Sequence, residues 1–297
     1  MVWLVRGKKI DCTRPRVMGI LNLTPDSFSE GGAYLEKEKA VDRAFRMEAE
    51  GADIIDLGGE STRPGSQTVS VEEEKKRLLP VLENLIPKIK IPVSVDTYKY
   101  EVARAVLERG AHIINDITAG KDTRILKLAG ETGCGVVLMH MQGTPATMQN
   151  RPVYQDVIEE ISRFLEERVR IALDNGVSEE QIVVDPGIGF GKSTGHNLTI
   201  LNKIGEFSVL SRPVMVGLSR KKFIGEITGS PVSERMAGTI AAVVVTYFGG
   251  ANIFRVHDVK EVKQALLVAE AMKSPSIPLS RFNGKGTRLL QRGKKRD

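Results

Sequence analysis

The chain has 297 residues, of which 41% are hydrophobic and 27% are charged, and its formal net charge at pH 7 is +6. This composition is typical of a soluble globular protein, and no apolar run is long enough for a transmembrane helix, so no membrane partner is expected. The N-terminal apolar run is too short for a signal peptide. The two cysteines, Cys12 and Cys134, lie far apart without metal-ligand spacing. We therefore expect a cytoplasmic protein with reduced thiols.

The first predicted element is a β-hairpin at the N-terminus. Two short apolar runs, Val2–Val5 and Ile10–Thr13, flank a polar stretch in which Gly7 suits a tight turn. A hairpin that precedes the main fold needs a surface to cover, because two strands alone are marginally stable in water. We expect it to plug the N-terminal mouth of the fold that follows.

Eight apolar runs follow, and most of them precede an amphipathic stretch. They are rich in β-branched residues and do not alternate with polar ones, as in strands buried on both faces of a parallel sheet. The runs are Arg16–Leu23, Asp53–Gly58, Pro92–Asp96, His112–Ile117, Val136–Met141, Ile182–Asp185, Pro213–Leu218 and Asn252–Val256. Helices are predicted at Lys37–Glu50, Val71–Leu85, Tyr100–Arg109, Asp122–Gly130, Val157–Asn175, Leu198–Phe207, Ser233–Phe248 and Val259–Met272. Eight such units predict an α/β fold, a (β/α)8 TIM barrel, with an open doubly wound sheet as the alternative.

Positive charge is concentrated at the C-terminal end. Residues 281–297 hold seven basic residues and one acidic residue, so the remaining chain is neutral overall. We predict a single domain over residues 1–274 and a basic, disordered tail over residues 275–297. A short basic run specifies no partner, so nucleic acid is not the expected ligand, although the tail keeps nucleic-acid binding as an alternative.

Polar residues collect at the C-terminal ends of the predicted strands. In a barrel these ends all face one rim, where the loops after the strands build active sites. A single acidic residue at a strand end is usually a helix cap, but capping does not explain polar residues after eight strands. The set is Asn22, Asp56, Asp96, Asn115, Asp116, His140, Asp185, Ser219, Arg255 and His257. It predicts a functional site at this rim.

Two loops at the rim are long and rich in glycines and hydroxyl groups, at residues 22–32 and 58–65. Ordinary turn chemistry accounts for the glycines, but it does not account for Thr62 and Arg63 beside a strand that already carries Asp56. We interpret both loops as ligand-binding loops, because glycines allow close approach of the backbone to a ligand.

A basic cluster follows the seventh and eighth predicted strands. It contains Lys221 and Lys222 after the seventh strand, Arg255 in the eighth strand and His257 directly after it. Barrels often bind phosphate at these two loops, and an arginine can hold an anion with two hydrogen bonds. A basic surface patch is the alternative, and it suits Lys222 better than Arg255, which lies inside an apolar strand.

Taken in order, these motifs resemble the dihydropteroate synthase family over nearly the whole barrel. They are Asn22-Leu-Thr-Pro-Asp-Ser-Phe-Ser, Gly59-Glu-Ser-Thr-Arg-Pro-Gly, Ser94-Val-Asp-Thr, Asn115-Asp, Met139-His-Met-Gln-Gly, Asp185-Pro-Gly-Ile-Gly-Phe-Gly-Lys, Ser219-Arg-Lys and Arg255-Val-His-Asp. The resemblance implies a transferase of folate biosynthesis that condenses 6-hydroxymethyl-7,8-dihydropterin pyrophosphate with p-aminobenzoate. The products would be 7,8-dihydropteroate and pyrophosphate, and sulfonamides would compete with p-aminobenzoate.

Carried over to matching positions, the resemblance implies roles for individual side chains. The pterin would contact Asp96, Asn115, Met139, Asp185, Phe190, Gly217, Lys221 and Arg255. The pyrophosphate would contact Asn22, Thr62, Arg63, Arg255 and His257, and Asn22 would also bind a Mg²⁺ cofactor. The p-aminobenzoate would contact Phe28, Thr62, Pro64 and Lys222. The catalytic set would be Arg63, Asp96, Asp185 and Lys221.

The chemistry of a pterin agrees with these roles, because its edge carries amide-like donors and acceptors that carboxylates, Asn and Lys can pair. We hypothesise a dissociative, SN1-like displacement of pyrophosphate, in which Asp96 and Asp185 stabilise a pterin cation. The rivals are a methyltransferase-like barrel that uses a methylated folate and a pterin-binding paralogue without synthase activity. Lys222, where the family often has Ser, leaves room for the second rival.

A homodimer that packs through the late helices is expected. The segment Ala237–Phe248 is more apolar around its circumference than a helix on the outside of a barrel requires. Burial of this segment within one chain is the alternative. A dimer would use the apolar face that the barrel itself does not cover.

Overall fold

The computed structural model describes residues 1–24, 33–63 and 65–274, without the side chains of residues 33–36. Its strands are β1 (Val2–Val5), β2 (Lys8–Asp11), β3 (Arg16–Asn22), β4 (Ile54–Gly58), β5 (Val93–Asp96), β6 (Ile113–Asp116), β7 (Gly135–Met139), β8 (Ile182–Asp185), β9 (Met215–Gly217) and β10 (Ile253–Val256). Strands β3 to β8 pair in chain order, and β10 lies between β3 and β9. All these pairs are parallel. A bridge between Val184 and Val214 joins the two remaining edges.

The predicted (β/α)8 barrel is therefore confirmed, and the open doubly wound sheet is wrong. The strands are short and mostly buried on both faces, which is why they are apolar throughout instead of alternating with polar residues. The edges of β8 and β9 meet at the Val184–Val214 bridge, whereas the other neighbouring strands pair over three residues or more. This junction is called the seam below.

The helices surround the barrel and cover the outer faces of the strands. They are α1 (Ala33–Glu50), α2 (Val71–Leu85), α3 (Tyr100–Glu108), α4 (Thr123–Thr132), α5 (Val157–Asp174), α6 (Thr194–Asn202), α7 (Lys222–Thr228), α8 (Met236–Gly249) and α9 (Val259–Lys273). Polar side chains fix several helix starts: Asp156 accepts the backbone N–H groups of Ile158 and Glu159 at the start of α5. Within the described residues, no helix is both long and apolar enough to cross a membrane.

The N-terminal hairpin plugs the bottom of the barrel, as predicted. The turn between β1 and β2 is formed by Arg6 and Gly7, both at positive φ, a two-residue connection that suits the twist of a hairpin. Trp3 is fully buried and packs in a cluster with inward-facing residues of seven strands, including Met18, Ile113 and Met215. The indole N–H donates to the carbonyl of Gln181 at 2.8 Å. This end of the barrel is thus dry and filled.

One predicted helix begins earlier than expected, and one observed helix was not predicted. Helix α6 begins at Thr194 instead of Leu198, because Ser193 and His196 form a reciprocal cap at its start, and a separate 3-10 stretch then covers residues 204–210. The basic residues after β9 were expected to belong to a loop, but Lys222 opens the short helix α7. A helix of seven residues is too short to show an apolar repeat in the sequence. The predicted disordered tail lies outside the described residues.

Candidate functional site

The strand-end residues converge on Arg255, which β10 directs into the C-terminal mouth of the barrel. Its Nε donates to Asp56 Oδ2 at 2.6 Å and its Nη2 donates to Asp96 Oδ2 at 2.8 Å. The side-chain amide of Asn115 donates to the same Asp56 oxygen at 3.2 Å. Because β3 separates β10 from β4 in the sheet, the guanidinium reaches across the barrel interior to bind both carboxylates.

Three acceptors in this cluster are buried without a hydrogen-bond partner. They are the second carboxylate oxygens of Asp56 and Asp96 and the hydroxyl of Ser94. A buried polar atom left unpaired costs about 1–3 kcal/mol. A ligand with N–H groups that enters the mouth would satisfy these atoms, so they indicate a binding site for a polar ring.

A second charged pair lies across the seam. Asp185 ends β8 and accepts the backbone N–H of Gly187 at 2.7 Å, while Lys221 follows β9. Burial raises the pKa of Asp185 to about 6, and burial lowers the pKa of Lys221 to about 8, although each charge counteracts the shift of the other. Burial likewise raises the pKa of Asp96, and the charge of Arg255 opposes that rise. The mouth can therefore hold carboxyl groups that accept or donate hydrogen bonds near neutral pH.

Apolar surface lies between the charged groups. The Lys221 ammonium is 4.4 Å from the centre of the Phe190 ring, and Met139 is buried at the end of β7. At Gly217, an added Cβ would meet no heavy atom within 4 Å, so this position leaves open space beside the mouth. A flat ring could lie between such walls while its edge meets the carboxylates.

A polar cavity of about 220 Å³ lies beside the mouth, on the side of β3 and β10. It is lined by Ile20, Leu21, Asn22, Arg43, Met47, Arg220, His257 and Asp258. The His257 ring nitrogen Nδ1 lies 3.0 Å from the Ser219 hydroxyl. Burial, with Arg220 and Arg255 next and Arg63 a smaller contributor, lowers the pKa of His257 to about 4, so the ring is neutral at pH 7. It would bind an anion as a neutral donor.

The remaining predicted site residues lie outside this cluster. Arg63 is exposed and Thr62 is partly buried in the loop after β4. Lys222 points to solvent, with 83% of its side chain exposed, and pairs with Glu226 at 2.8 Å. Phe28 and Pro64 lie outside the described residues.

Three features of the rim were not predicted in the roles that the structure gives them. Asp56 was expected at the functional rim without a specific role, and it binds both Arg255 and Asn115. Lys192, which is the last residue of the motif that begins at Asp185, is buried and contacts the His140 ring at 2.9 Å and the carbonyl of Phe190 at 2.9 Å. The third feature is an ion cluster around Lys99, described below. Charged residues near strand ends are common in sequences, so their position alone does not reveal these contacts.

Comparisons of the sequence and of the structure with known proteins identify relatives of one kind. A family model described as pterin binding enzyme matches residues 18–257. The dihydropteroate synthase of Escherichia coli K12 is 46% identical over 274 residues, which is 92% of this chain and 97% of that protein. The crystal structure of Yersinia pestis dihydropteroate synthase in a sulfonamide drug complex has a TM-score of 0.87 and 42% identity, with 92% of this chain and all of that one covered. Xanthomonas albilineans dihydropteroate synthase with 4-aminobenzoic acid has a TM-score of 0.86 and 43% identity, with 94% and 100% covered.

The raised pKa of Asp185 predicts a pH-dependent stability. The folded protein retains a proton that the unfolded chain releases, so this group's contribution to stability is complete below its ordinary pKa of 3.8 and is lost as the pH rises to about 6. Asp185→Asn removes the titration. We expect the variant's free energy of unfolding, relative to wild type, to rise by up to about 1.4 kcal/mol per pH unit across this window.

Urea denaturation from about pH 4 to about pH 8 measures this difference. The exposed Asp174, changed to Asn, serves as the control and should give a curve parallel to wild type. Parallel curves for Asp185→Asn as well would contradict the prediction.

Proposed function

The chain belongs to the dihydropteroate synthases of the pterin-binding enzyme family, and from this we propose how its barrel mouth performs their reaction. It is a transferase of folate biosynthesis that joins 6-hydroxymethyl-7,8-dihydropterin pyrophosphate to p-aminobenzoate, giving 7,8-dihydropteroate and pyrophosphate. The observation that carries the proposed mechanism is the group of unpaired, buried acceptors around Arg255. These atoms match the donor-rich edge of a pterin.

The pterin ring is proposed to bind with its edge against Asp96, Asn115 and Asp185. The unpaired oxygen of Asp96 can accept a ring N–H, and the Asn115 side chain offers further amide positions beside it. Lys221 donates to the ring carbonyl or a ring nitrogen, and its partly depressed pKa allows it to release a proton more readily than an exposed lysine. A ring without these groups would leave buried polar atoms unpaired, which explains selectivity for pterins.

The faces of the ring are proposed to contact apolar surface. Met139 and Phe190 supply that surface, and Gly217 provides room where a side chain would intrude. Arg255 lies against the ring while it stays bound to Asp56 and Asp96. A planar guanidinium fixed in this way is suited to stacking on an aromatic ring.

The pyrophosphate is proposed to lie toward the polar cavity beside the mouth. His257 and Asn22 line that cavity, and Arg255 on β10 and Thr62 and Arg63 in the loop after β4 would complete the contacts with the phosphates. Arginine and neutral histidine both donate hydrogen bonds to phosphate oxygens. Together they stabilise the charge that collects on the leaving group.

Mg²⁺ is the proposed cofactor, and Asn22 would be its protein ligand. The described residues hold no group of three or more His, Cys, Asp or Glu side chains that could bind a metal alone. Mg²⁺ commonly takes one or two protein oxygens together with substrate phosphates, and the partly exposed amide of Asn22 at the end of β3 fits that requirement. When bound, the ion would neutralise charge on the two phosphates of the leaving group.

The displacement is proposed to be dissociative. The bond between the pterin methylene carbon and the pyrophosphate oxygen breaks, and its electron pair leaves with pyrophosphate. The buried carboxylates of Asp96 and Asp185 then stabilise the positive charge that the pterin ring shares. The p-aminobenzoate nitrogen attacks the methylene carbon and loses a proton afterward, so no protein nucleophile is required.

The p-aminobenzoate site is proposed to lie between the rim loops, near Thr62 and Lys222. Phe28 and Pro64, outside the described residues, are assigned to the same site by the family motifs. Lys222 pairs with Glu226 in the free protein, and a substrate carboxylate could take the place of that partner. Sulfonamides compete for this site, as the drug complex of the Yersinia pestis relative supports.

A homodimer through α8 is also proposed. The side of α8 that faces the barrel carries Thr239, Val243, Thr246 and Tyr247, all buried. The opposite side presents a stripe of four apolar residues, Ala237, Ala241, Val245 and Phe248, all exposed. Burial of this segment within one chain is therefore wrong for its outer side. An apolar stripe with two alanines allows two copies of the helix to approach closely about a twofold axis.

The activity is tested with purified protein, the pterin pyrophosphate, p-aminobenzoate and Mg²⁺. We expect dihydropteroate to form, its formation to stop when the metal is chelated, and Asp96→Asn to lower kcat/KM by about 100-fold or more, because a charge-stabilising group is removed. Asp174→Asn is the surface control. Pterin binding without product would instead indicate the non-catalytic paralogue.

The dissociative step predicts exchange of labelled pyrophosphate into the pterin substrate when p-aminobenzoate is absent. Exchange occurs because the cation forms before the amine attacks and can recombine with pyrophosphate. Incorporation of label is measured by chromatography of the recovered substrate. Strict dependence of exchange on the amine would rule out this order of bond breaking.

The dimer predicts a particle of twice the 32.6 kDa chain mass by light scattering. Val245→Asp should give a monomer, since a charge in the centre of an apolar interface loses its hydration. Val153→Asp, at an exposed apolar residue in the loop after β7, should leave the dimer intact. A wild-type monomer at micromolar concentration would refute the interface.

A further inference from the structure

A buried ion cluster lies beneath the loop after β4, which is called loop 2 here and spans residues 59–70. Its centre is Lys99, whose side chain is 14% exposed, and its carboxylates are Glu60 and Glu74, which are 5% and 1% exposed. The cluster includes none of the residues assigned to pterin or phosphate binding, although the charge of Glu74 adds to the rise that burial causes in the pKa of Asp96. Its geometry instead concerns how loop 2 is held.

All three N–H bonds of the Lys99 ammonium are used, and each reaches a different segment. They donate to Glu60 Oε2 at 2.5 Å, to Glu74 Oε2 at 2.6 Å and to the carbonyl of Val69 at 2.8 Å. Glu60 is at the beginning of loop 2, Val69 is near its end, and Glu74 belongs to α2. A single side chain therefore ties both ends of the loop to one helix.

Glu60 closes the same loop from the other side. Its Oε2 accepts the backbone N–H of Val69 at 3.0 Å, and its Oε1 accepts the Tyr98 hydroxyl at 2.7 Å. Nearby, Arg77 on α2 donates to the carbonyl of Gly59 at 2.9 Å. The two ends of loop 2 are thus fixed by charged hydrogen bonds, which are stronger than neutral ones.

The body of loop 2 is held differently. Between its fixed ends, the hydroxyl of Ser66 donates to the carbonyl of Ser61, and the backbone of Gly65 bonds that of Pro145 in the loop after β7. Thr62, which is partly buried, and Arg63, which is exposed, lie in this part. The described residues between the fixed ends are therefore held by hydrogen bonds between neutral groups, which are weaker than the charged ones at the ends.

The position of Lys99 in the chain links this attachment to the barrel mouth. Lys99 is the N-cap residue of α3 and follows Asp96 by three positions, and its backbone carbonyl accepts from Val102 and Ala103. Between them, the backbone of Thr97 bonds the carbonyl of Asn115. The same rigid turn that presents Asp96 to the mouth thus holds both ends of loop 2.

A cluster of this kind is not needed for stability alone. Burying charges removes their hydration, and a well-packed apolar group of the same volume is often as stabilising as a buried ion pair. What the charges add is a defined geometry, because each donor must meet its own acceptor. The cluster therefore specifies where the ends of loop 2 stand relative to Asp96.

We propose that Lys99, with Glu60 as its partner, is a positioning residue that sets loop 2 over the barrel mouth so that Thr62 and Arg63 meet the second substrate and the leaving group. This inference rests on the proposed function of those two residues. Lys99 touches no substrate itself. It acts through the ends of the loop.

The test compares Lys99→Met, Lys99→Arg and the exposed control Lys203→Met, which removes a surface ion pair with Glu206. For Lys99→Met we expect KM for p-aminobenzoate to rise about tenfold, because a loop displaced by a fraction of an ångström loses alignment. The Kd of 6-hydroxymethyl-7,8-dihydropterin, measured by calorimetry, should stay within about twofold, because its residues are untouched. Lys99→Arg should recover part of the loss, and Lys203→Met should match wild type.

Hydrogen exchange of the substrate-free protein gives a readout that does not depend on activity. Amides of residues 61–68 should exchange faster in Lys99→Met, while the barrel strands keep their protection. Unchanged KM and unchanged exchange in this loop would overturn the proposal. So would faster exchange throughout the barrel with a matching loss of pterin binding, since that pattern indicates a general structural role.

Should Lys99→Met fail to fold because two carboxylates lose their partner, the triple variant Glu60→Gln/Glu74→Gln/Lys99→Met removes the buried charges together. It is judged by the same two readouts. A wild-type protein that makes no dihydropteroate would refute the proposed function. In that event the hydrogen exchange of residues 61–68 alone decides whether Lys99 fixes the loop.

Discussion

A single guanidinium holds the polar mouth of the barrel together. Arg255 forms ion pairs with both Asp56 and Asp96, two carboxylates that β4 and β5 direct into the same interior, and so offsets the repulsion between them. Removing one partner of such a buried group typically destabilises a protein by about 3–5 kcal/mol, because the remaining charge has no solvent to stabilise it. The other features of the mouth depend on this pairing, because with Arg255 in place Asp56 and Asp96 can lie close together and present their remaining oxygens to a ligand.

The two ends of the barrel differ in polarity and packing. At the N-terminal end, the hairpin inserts Trp3 among inward-facing side chains and leaves a dry, filled interior. At the C-terminal end the interior is polar, and several of its acceptors lack partners in the free protein. Apolar burial at the hairpin end stabilises the fold and offsets the cost of the unpaired polar atoms at the mouth. This division explains how eight short strands can carry so many charged residues at one rim and still form a barrel.

Much of this organisation is visible in the sequence, and the reasons are local. Eight apolar runs, each with a polar residue at its end, predict both the barrel and the rim, and Asp96, Asn115, Asp185 and Arg255 do converge there. Helix α7 was missed because seven residues show no repeat, and the roles of Asp56, Lys192 and Lys99 were missed because each depends on a partner distant in the chain. Long-range pairing of charges has no signal in spacing or composition.

At the seam between β8 and β9, the strand pairing of the barrel is interrupted. There the strand edges meet at the Val184–Val214 bridge, and Asp185 and Lys221 stand on either side of it. A substrate that bonds to both residues would connect β8 and β9 where few backbone hydrogen bonds do so. Bound substrate would then suppress local opening between β8 and β9 more than opening elsewhere in the barrel. The hydrogen-exchange rates of these two strands would therefore report whether the mouth is occupied.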